Sequence, residues 1–161
     1  LVMSFNYEEN YQAQLQEGQK FQDYCAYLFQ KKLNIGVVNF QTQEYQYKFG
    51  ENMQGIEFKF DKCFQVTGNL WIEIAERHNP DIPYSDSGIF KKDNSWLYCI
   101  GNYYVIYIFP KNLLILLYNS RRYPVIENNL MTSKGFLLSK GDADIYAANK
   151  IEVKRTQEDK E

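Results

Sequence analysis

Length, composition and charge describe a globular chain and exclude several classes of protein. The 161 residues are 45% hydrophobic and 17% aromatic, with 24% charged residues and a net charge of −2, so they provide enough apolar surface for one folded core. The slightly acidic balance excludes a protein that binds nucleic acid through overall positive charge. Three scattered cysteines without a CxxC pair and a single histidine exclude a disulfide framework and a cysteine/histidine zinc site.

Hydrophobic periodicity predicts the first elements in chain order. Apolar residues recur at helical spacing from about Asn10 to Lys32, which predicts an amphipathic helix. The β-branched and aromatic residues of VVNFQTQEYQYKFG favour a strand or hairpin. After the loop HNPDIPYSDSG, Ser95–Ile100 suits either a short helix or a strand, Tyr103–Phe109 indicates a buried strand, and Lys111–Tyr118 indicates a helix.

The end of the chain completes the predicted architecture. GFLLSKG indicates a late strand and ADIYAANKIEV a closing element, whereas KRTQEDKE is a charged tail with nothing to bury. We expect one domain over residues 1–153 and a disordered tail over residues 154–161. A helix, then a run of strands, then mixed elements predicts an α/β fold of the mixed α+β kind, with a central mixed sheet flanked by helices.

The stretch GIEFKFDKCFQVTGNLWIEIAER, residues 55–77, alternates apolar and polar residues on both sides of TGN. A two-residue turn at Gly68-Asn69 would mix apolar and charged positions on each face of a hairpin. A three-residue turn that includes Thr67 sets Phe64 opposite Ile72 and gathers all apolar residues on one face. The opposite face then carries Glu57, Lys59, Asp61 and Glu73.

Carboxylates gathered in this way predict a cation site. In the three-residue register, Asp61 and Glu73 are diagonal neighbours, and their mutual repulsion would be relieved by a metal ion. Oxygen ligands of this kind suit Mg²⁺, which can activate a water for attack on a phosphodiester, with Lys59 orienting that water. The alternative is a solvated strand face with a cross-strand ion pair.

The order of these motifs resembles the PD-(D/E)xK nuclease superfamily, whose members have restriction-endonuclease-like folds. An E-x-K-x-D segment is followed by TGNLWIE and later by SGI, after a helix that carries a glutamate. This order is similar to that of a group of phage and bacterial nucleases in the superfamily. The resemblance runs from about Glu17 to about Trp96, and it implies hydrolysis of DNA with Mg²⁺ or Mn²⁺ as the cofactor.

The resemblance also implies roles for individual residues. Asp61 matches the first metal-binding acid and Glu73 the acid of the second strand, while the carbonyl of Ile74 would be a third metal ligand. Glu17 matches a helix glutamate that assists the metal site in some members. With Lys59 and Glu57, these residues form the predicted catalytic site.

The sequence departs from the family pattern at Ala75, where a lysine or glutamate is expected. Lys59 on the neighbouring strand is a replacement, and the other interpretation is reduced or absent activity. The neighbouring Glu76 points to the opposite face in the predicted register. A second alignment takes Glu57-Phe58-Lys59 as the E-x-K motif, with Glu51 as the upstream acid, although only five residues separate the two glutamates.

Three further features have structural as well as functional interpretations. His78 would serve as a base or be an exposed loop residue, and Ser87-Gly88-Ile89 would approach a substrate backbone or form a simple turn. Trp71 shares the polar face and would pack beneath a helix or meet a nucleobase.

These observations lead to two hypotheses about function. The first is a Mg²⁺-dependent DNA endonuclease that binds DNA, forms a homodimer and has no membrane partner. The second is a catalytically inactive module that keeps the nuclease scaffold and binds nucleic acid or protein. The cysteine usage and the lack of a recognisable secretory signal in LVMSFNYEENYQ favour a cytoplasmic location.

Overall fold

The computed structural model describes residues 5–154, which begin with a long amphipathic helix. Helix α1, Tyr7–Leu33, starts where the Asn6 side chain accepts a hydrogen bond from a backbone N–H of the first turn, and it ends at Asn34 in the left-handed conformation (φ 56°). Both caps satisfy backbone groups that a helix end leaves unpaired. The helix predicted from the apolar periodicity is therefore confirmed.

The other elements of residues 5–154 are short. In chain order they are α2 (Gln43–Phe49), β1 (Ile56–Phe60), α3 (Phe64–Thr67), β2 (Asn69–Glu76), β3 (Ser85–Asp86), β4 (Leu97–Gly101), β5 (Val105–Pro110), α4 (Lys111–Asn119), β6 (Ile126–Glu127), β7 (Ser133–Ser139), α5 (Lys140–Tyr146) and β8 (Asn149–Glu152), with a 3-10 helix at Gly88–Phe90.

The strands form two four-stranded sheets. The first has the order β1-β4-β5-β8, with β1 and β4 parallel and the other pairs antiparallel. The second has the order β3-β2-β7-β6 and is antiparallel throughout. The predicted mixed α+β class is confirmed, and the strands are divided between a mixed sheet and an antiparallel sheet.

Two apolar clusters hold these layers together. The first lies between α1 and the mixed sheet, and its buried residues are Phe21, Cys25, Leu28, Phe29, Ile56, Phe58, Cys99, Ile106, Ile108 and Ile151. The second joins the mixed sheet to the antiparallel sheet and to α4, with Tyr98, Tyr107, Phe109, Leu114 and Phe136 among its fully buried members. Burial of these side chains is the main force that stabilises the fold.

The predicted hairpin of residues 55–77 is wrong. β1 pairs with β4 and β2 pairs with β7, so the two segments belong to different sheets. Between them the chain forms α3, and Val66, which the hairpin placed in the core, is 90% exposed. The alternating residues after Lys62 are too few to distinguish a strand from one turn of helix. The turn is caused by Asp61, whose carboxylate accepts the backbone N–H groups of Cys63 and Phe64.

Several other predictions can be compared directly with the structure. The segment predicted as a strand or hairpin contains α2 instead, capped at its start by the Thr42 hydroxyl, which accepts the N–H of Tyr45. The strand alternative for Ser95–Ile100 is confirmed by β4, and the predicted strand, helix and late strand that follow are confirmed by β5, α4 and β7. Most of the predicted tail lies outside the described residues.

Within residues 5–154, no helix combines the length and the apolar character needed to cross a lipid bilayer.

Candidate active site

A lysine that contacts two glutamates forms the centre of the candidate site. The ammonium of Lys59 lies 3.2 Å from Glu57 Oε1 and 4.0 Å from Glu73 Oε1. Glu57 and Lys59 alternate on β1, so both side chains project from the same face of that strand. Glu73 comes from β2 in the other sheet. The structure thus brings together three of the predicted site residues without the predicted hairpin.

Two buried oxygens in this cluster have no hydrogen-bond partner among the described residues. They are Glu57 Oε2 and the hydroxyl of Tyr98, the residue that faces Glu57 in the register of β1 and β4. Glu57 is 2% exposed and Tyr98 is fully buried. Unpaired polar atoms at such depth are costly, and a water molecule or a cation is the usual remedy.

A second lysine, which is buried, extends the cluster on the side of α4. Lys111, the first residue of α4, lies 4.0 Å from Glu57 Oε2 and 3.7 Å from Asp93 Oδ1, and it donates a hydrogen bond to Ser95 Oγ (2.6 Å). Lys91 lies 3.6 Å from Asp93. Although burial acts in the opposite direction, hydrogen bonds from Ser95 and the charges of Lys111 and Lys91 lower the pKa of Asp93. A continuous chain of alternating charges therefore connects Glu73 with Lys91.

Two serines hold the carboxylate of Glu73. Ser87 donates to Oε1 at 2.7 Å and Ser133 donates to Oε2 at 2.8 Å. Ser87 is buried at the start of the 3-10 helix, which approaches β2 so closely that a Cβ on Gly88 (φ 53°) would collide with the carbonyl oxygen of Glu73. The SGI motif therefore positions Glu73, because only glycine allows the serine to come this near.

A β-bulge in β2 changes the face of the strand on which the residues after Glu73 lie. Glu73 pairs with Gly135 and Ala75 with Lys134, so Ile74 is the extra residue and the alternation shifts by one position. Glu76, which pairs with Ser133, consequently shares the face of Glu73. Partial burial and then the charge of Glu73 raise its pKa, although much of the Glu76 residue is exposed to solvent.

The same bulge changes the surroundings of Ala75. Ala75 packs against the core that joins the two sheets, where a lysine would have to bury its charge. The sequence contains no signal for a bulge at Ile74, because an isoleucine within an alternating strand fits regular pairing equally well. Glu76 was therefore assigned to the wrong face.

Glu51 also belongs to the cluster. It reaches β1 from the preceding turn, and its Oε2 accepts the backbone N–H of Phe58 at 2.9 Å. Burial, reinforced by the charge of Glu57, raises the pKa of Glu51 to about 8. Five residues between Glu51 and Glu57 are too few to form two strands and a turn. Glu51 nevertheless reaches the cluster, because it contacts β1 from a turn and does not have to lie on a strand.

Lys59 retains its proton in this environment. Burial disfavours its charged form, but the carboxylates of Glu57 and Glu73 outweigh this effect and raise its pKa well above the usual value. Lys59 is therefore a hydrogen-bond donor and a positive charge, and it is unsuited to removing a proton from water at neutral pH.

Asp61, predicted as the first metal-binding acid, is engaged by backbone groups in this structure. Its Oδ1 accepts the backbone N–H groups of Cys63 and Phe64, both at 3.0 Å, and its Oδ2 accepts that of Trp71 at 2.8 Å. These bonds turn the chain into α3 and connect it to β2. Asp61 is 7% exposed, and both oxygens of its carboxylate accept hydrogen bonds. In this conformation Asp61 therefore stabilises the fold.

Two other predicted site residues are also engaged elsewhere. Glu17 forms a surface ion pair with Lys62 (2.6 Å), and the carbonyl oxygen of Ile74 accepts the backbone N–H of Ser87 (3.1 Å). His78 packs its ring against Tyr11, with 4.3 Å between the ring centroids. The indole N–H of Trp71 donates to Ser133 at 3.1 Å, so Trp71 supports the serine that holds Glu73.

The donor set of the cluster suits a hard cation, although its acids are spread out. Among residues 5–154, no three acidic, histidine or cysteine side chains are grouped closely enough to hold a metal ion together. Glu57 and Glu73 are the two carboxylates that meet at Lys59, and Mg²⁺ typically uses one or two protein carboxylates and completes its shell with water and phosphate oxygens. Two carboxylates therefore meet that number, and both already contact the ammonium of Lys59.

Comparisons with protein-family models, with curated proteins and with solved structures found no match to this chain.

Proposed function

We propose that this protein is a metal-dependent DNA endonuclease whose site is centred on Glu57, Lys59 and Glu73. The observation that carries the proposal is the contact of one half-buried lysine with two carboxylates from different sheets, next to Glu57 Oε2, which accepts no hydrogen bond from the described residues. Two of the three residues form the E-x-K segment on which the resemblance to the PD-(D/E)xK superfamily rests. The proposal replaces Asp61 by Glu57 as the first acid.

Each side chain has a distinct task in this proposal. Glu57 and Glu73 would hold Mg²⁺ or Mn²⁺, which supplies Lewis-acid stabilisation of a phosphodiester when bound. Lys59, which stays protonated, orients the attacking water and stabilises negative charge on the phosphoryl oxygens. Glu76 accepts the proton that the water loses, since its raised pKa makes it a stronger base than an ordinary carboxylate.

DNA is the partner that this chemistry implies. Cutting both strands of a duplex would be served by two copies of the chain, because paired sites match the twofold symmetry of duplex DNA. The three cysteines are free, as expected in a reducing compartment, and the cytoplasmic location stays a prediction.

Cleavage of supercoiled plasmid DNA tests the proposal. We expect nicking that requires Mg²⁺ or Mn²⁺, stops in EDTA, and falls by roughly 10²- to 10⁴-fold in Glu73→Gln. The matched control is Glu152→Gln, because Glu152 also lies on a strand and pairs with a lysine, Lys150, at 3.1 Å. Cleavage that persists in Glu73→Gln, or that is lost equally in Glu152→Gln, would contradict the proposal.

A second candidate function is a catalytically inactive binding module. It is favoured by the position of Lys59, whose ammonium already occupies the place between Glu57 and Glu73 by pairing with both. Calorimetric titration with Mn²⁺ separates the two candidates. The nuclease proposal expects binding by the wild type that is weakened in Glu73→Gln, and the inactive module expects no binding by either protein.

A further inference from the structure

Aromatic side chains lie at one side of the candidate site. Tyr47 on α2 is 79% exposed, and the half-buried Tyr11 on α1 packs against the exposed His78 just beyond β2, with the two rings tilted by 40°. The pKa of Tyr11 is raised, by burial first and then by the charges of Glu76, Glu8 and Tyr47. The contact with His78 places Tyr11 beside the end of β2, two residues beyond Glu76.

Positive charge accompanies these rings. The ammonium of Lys91 lies 5.8 Å from the centre of the Tyr47 ring, and the same ammonium pairs with Asp93 in the site. Lys92 follows directly in the chain, and Lys48 on α2 lies 5.2 Å from the ring centre of Phe49. Rings with lysines beside them offer stacking surfaces for bases and attraction for a phosphate backbone.

We propose that Tyr47 and the Tyr11–His78 pair form a platform on which unpaired nucleobases stack, so that the substrate is single-stranded DNA or DNA with a single-stranded segment. This inference rests on the proposed nuclease function. In a duplex the faces of the bases are covered by their neighbours, and only unpaired bases present a free face to a protein ring. Stacking of this kind tolerates any sequence, because every base has such a face.

The contacts around Tyr47 favour this occupant over simple packing within the protein. Its ring makes the one cation contact described above and is otherwise largely open to water, whereas a ring with a core role is buried, as in Phe21 or Phe29. The ammonium over this ring, that of Lys91, also pairs with Asp93 at the edge of the site. A strand held by its bases on Tyr47 would thus place its backbone toward Lys91 and the catalytic carboxylates.

Fluorescence anisotropy in EDTA tests the platform separately from cleavage. The probes are a fluorescein-labelled oligothymidylate of about 20 nucleotides and a blunt duplex of the same length. We expect tighter binding of the single strand, a loss of roughly five- to one-hundred-fold in Tyr47→Ala, and retention of affinity in Tyr47→Phe, which keeps the ring. Tyr11→Ala is expected to weaken single-strand binding in the same direction.

The matched control is Tyr27→Ala. Tyr27 is also exposed (55%) and also has a lysine, Lys31, over its ring at 5.4 Å, but it lines a groove with the end of β8. Equal affinity for both probes, or no effect of Tyr47→Ala beyond that of Tyr27→Ala, would overturn the platform. Binding that depends on Tyr47 supports the platform where plasmid cleavage is absent, whereas cleavage without this dependence overturns the platform and leaves the nuclease proposal standing.

Discussion

Two buried acidic regions of this protein differ in what holds their carboxylates. Asp61 is held by three backbone N–H groups, whose positions are part of the fold. Glu57 and Glu73 are held by an ammonium and by serine hydroxyls, and one oxygen of Glu57 accepts no hydrogen bond from the described residues. Partners of the first kind cannot leave without unfolding a turn. Partners of the second kind can rotate away and be exchanged for an ion or a substrate.

The largest expected effect is the loss of cleavage when Lys59 is replaced by methionine. We expect plasmid cleavage to fall by roughly 10²- to 10⁴-fold, because the charge that faces the phosphoryl oxygens is removed. The measurement is the initial rate of nicking at low temperature, with near-UV circular dichroism to confirm folding. Lys62→Met, which removes an exposed lysine of the same chain segment, is the control. A rate within tenfold of the wild type would show that Lys59 has no catalytic role.

The next largest effect concerns stability. Asp61→Ala leaves three backbone N–H groups without their acceptor, and we expect the free energy of unfolding to fall by about 2–4 kcal/mol. Urea denaturation measures this change, with Asp23→Ala on the exposed side of α1 as the control. The cleavage rate of the folded fraction is expected to remain. Unchanged stability together with lost cleavage would instead support the predicted role of Asp61 as a metal ligand.

A smaller effect is the dependence of stability on pH in the Glu51 region. The folded chain holds the proton of Glu51 up to about pH 8, whereas the ordinary pKa of 4.5 applies after unfolding. Unfolding therefore releases a proton between these values, so this contribution to the free energy of unfolding is full below pH 4.5 and falls as pH rises. The slope is at most about 1.4 kcal/mol per pH unit.

Denaturation at several pH values measures this slope. Glu51→Gln is expected to flatten the profile of the wild type, and Glu44→Gln, which changes an exposed glutamate on α2, is expected to leave it unchanged. Parallel profiles for wild type and Glu51→Gln would show that Glu51 titrates normally in the folded chain.

The smallest effect is expected at Glu17. Its ion pair with Lys62 is exposed on both sides, and such pairs contribute about 0.5 kcal/mol or less. We expect Glu17→Gln to change the thermal midpoint by only a degree or two and to cleave plasmid at the wild-type rate. A tenfold loss of cleavage would support the role in the metal site that the resemblance implies for this helix glutamate.

The elements were predicted where a periodic pattern was long, and were missed where a local side chain decided the outcome. Helix α1 is 27 residues long, and its buried residues Phe21, Cys25, Leu28 and Phe29 recur at helical spacing, which a strand does not fit. The segment from Phe64 to Val66 continues the alternation of β1, but the carboxylate of Asp61 binds the N–H groups of Cys63 and Phe64 and favours a helical turn. A pattern of apolar residues carries no information about that bond.

Only part of the candidate site could be predicted, because local patterns carry no information about contacts between distant segments. Glu57 and Lys59 share a face because any strand alternates, which is a local rule. No feature of the sequence indicated that Lys111 belongs to the site, because a lysine at the start of a predicted helix is normally exposed. In the structure Lys111 is only 6% exposed. Ser133 lies 60 residues from Glu73 along the chain, and its hydrogen bond to Glu73 depends on the pairing of β2 with β7.

The sequence by itself determined the mixed α+β class, the first helix, most strands, and the E-x-K segment with its two side chains on one face. The tertiary structure alone decided which acids meet, because that depends on which strands pair and on the bulge at Ile74. Local periodicity follows from the geometry of a few successive residues. The meeting of Lys59 with Glu73 follows from the packing of two sheets, which no short segment of the chain encodes.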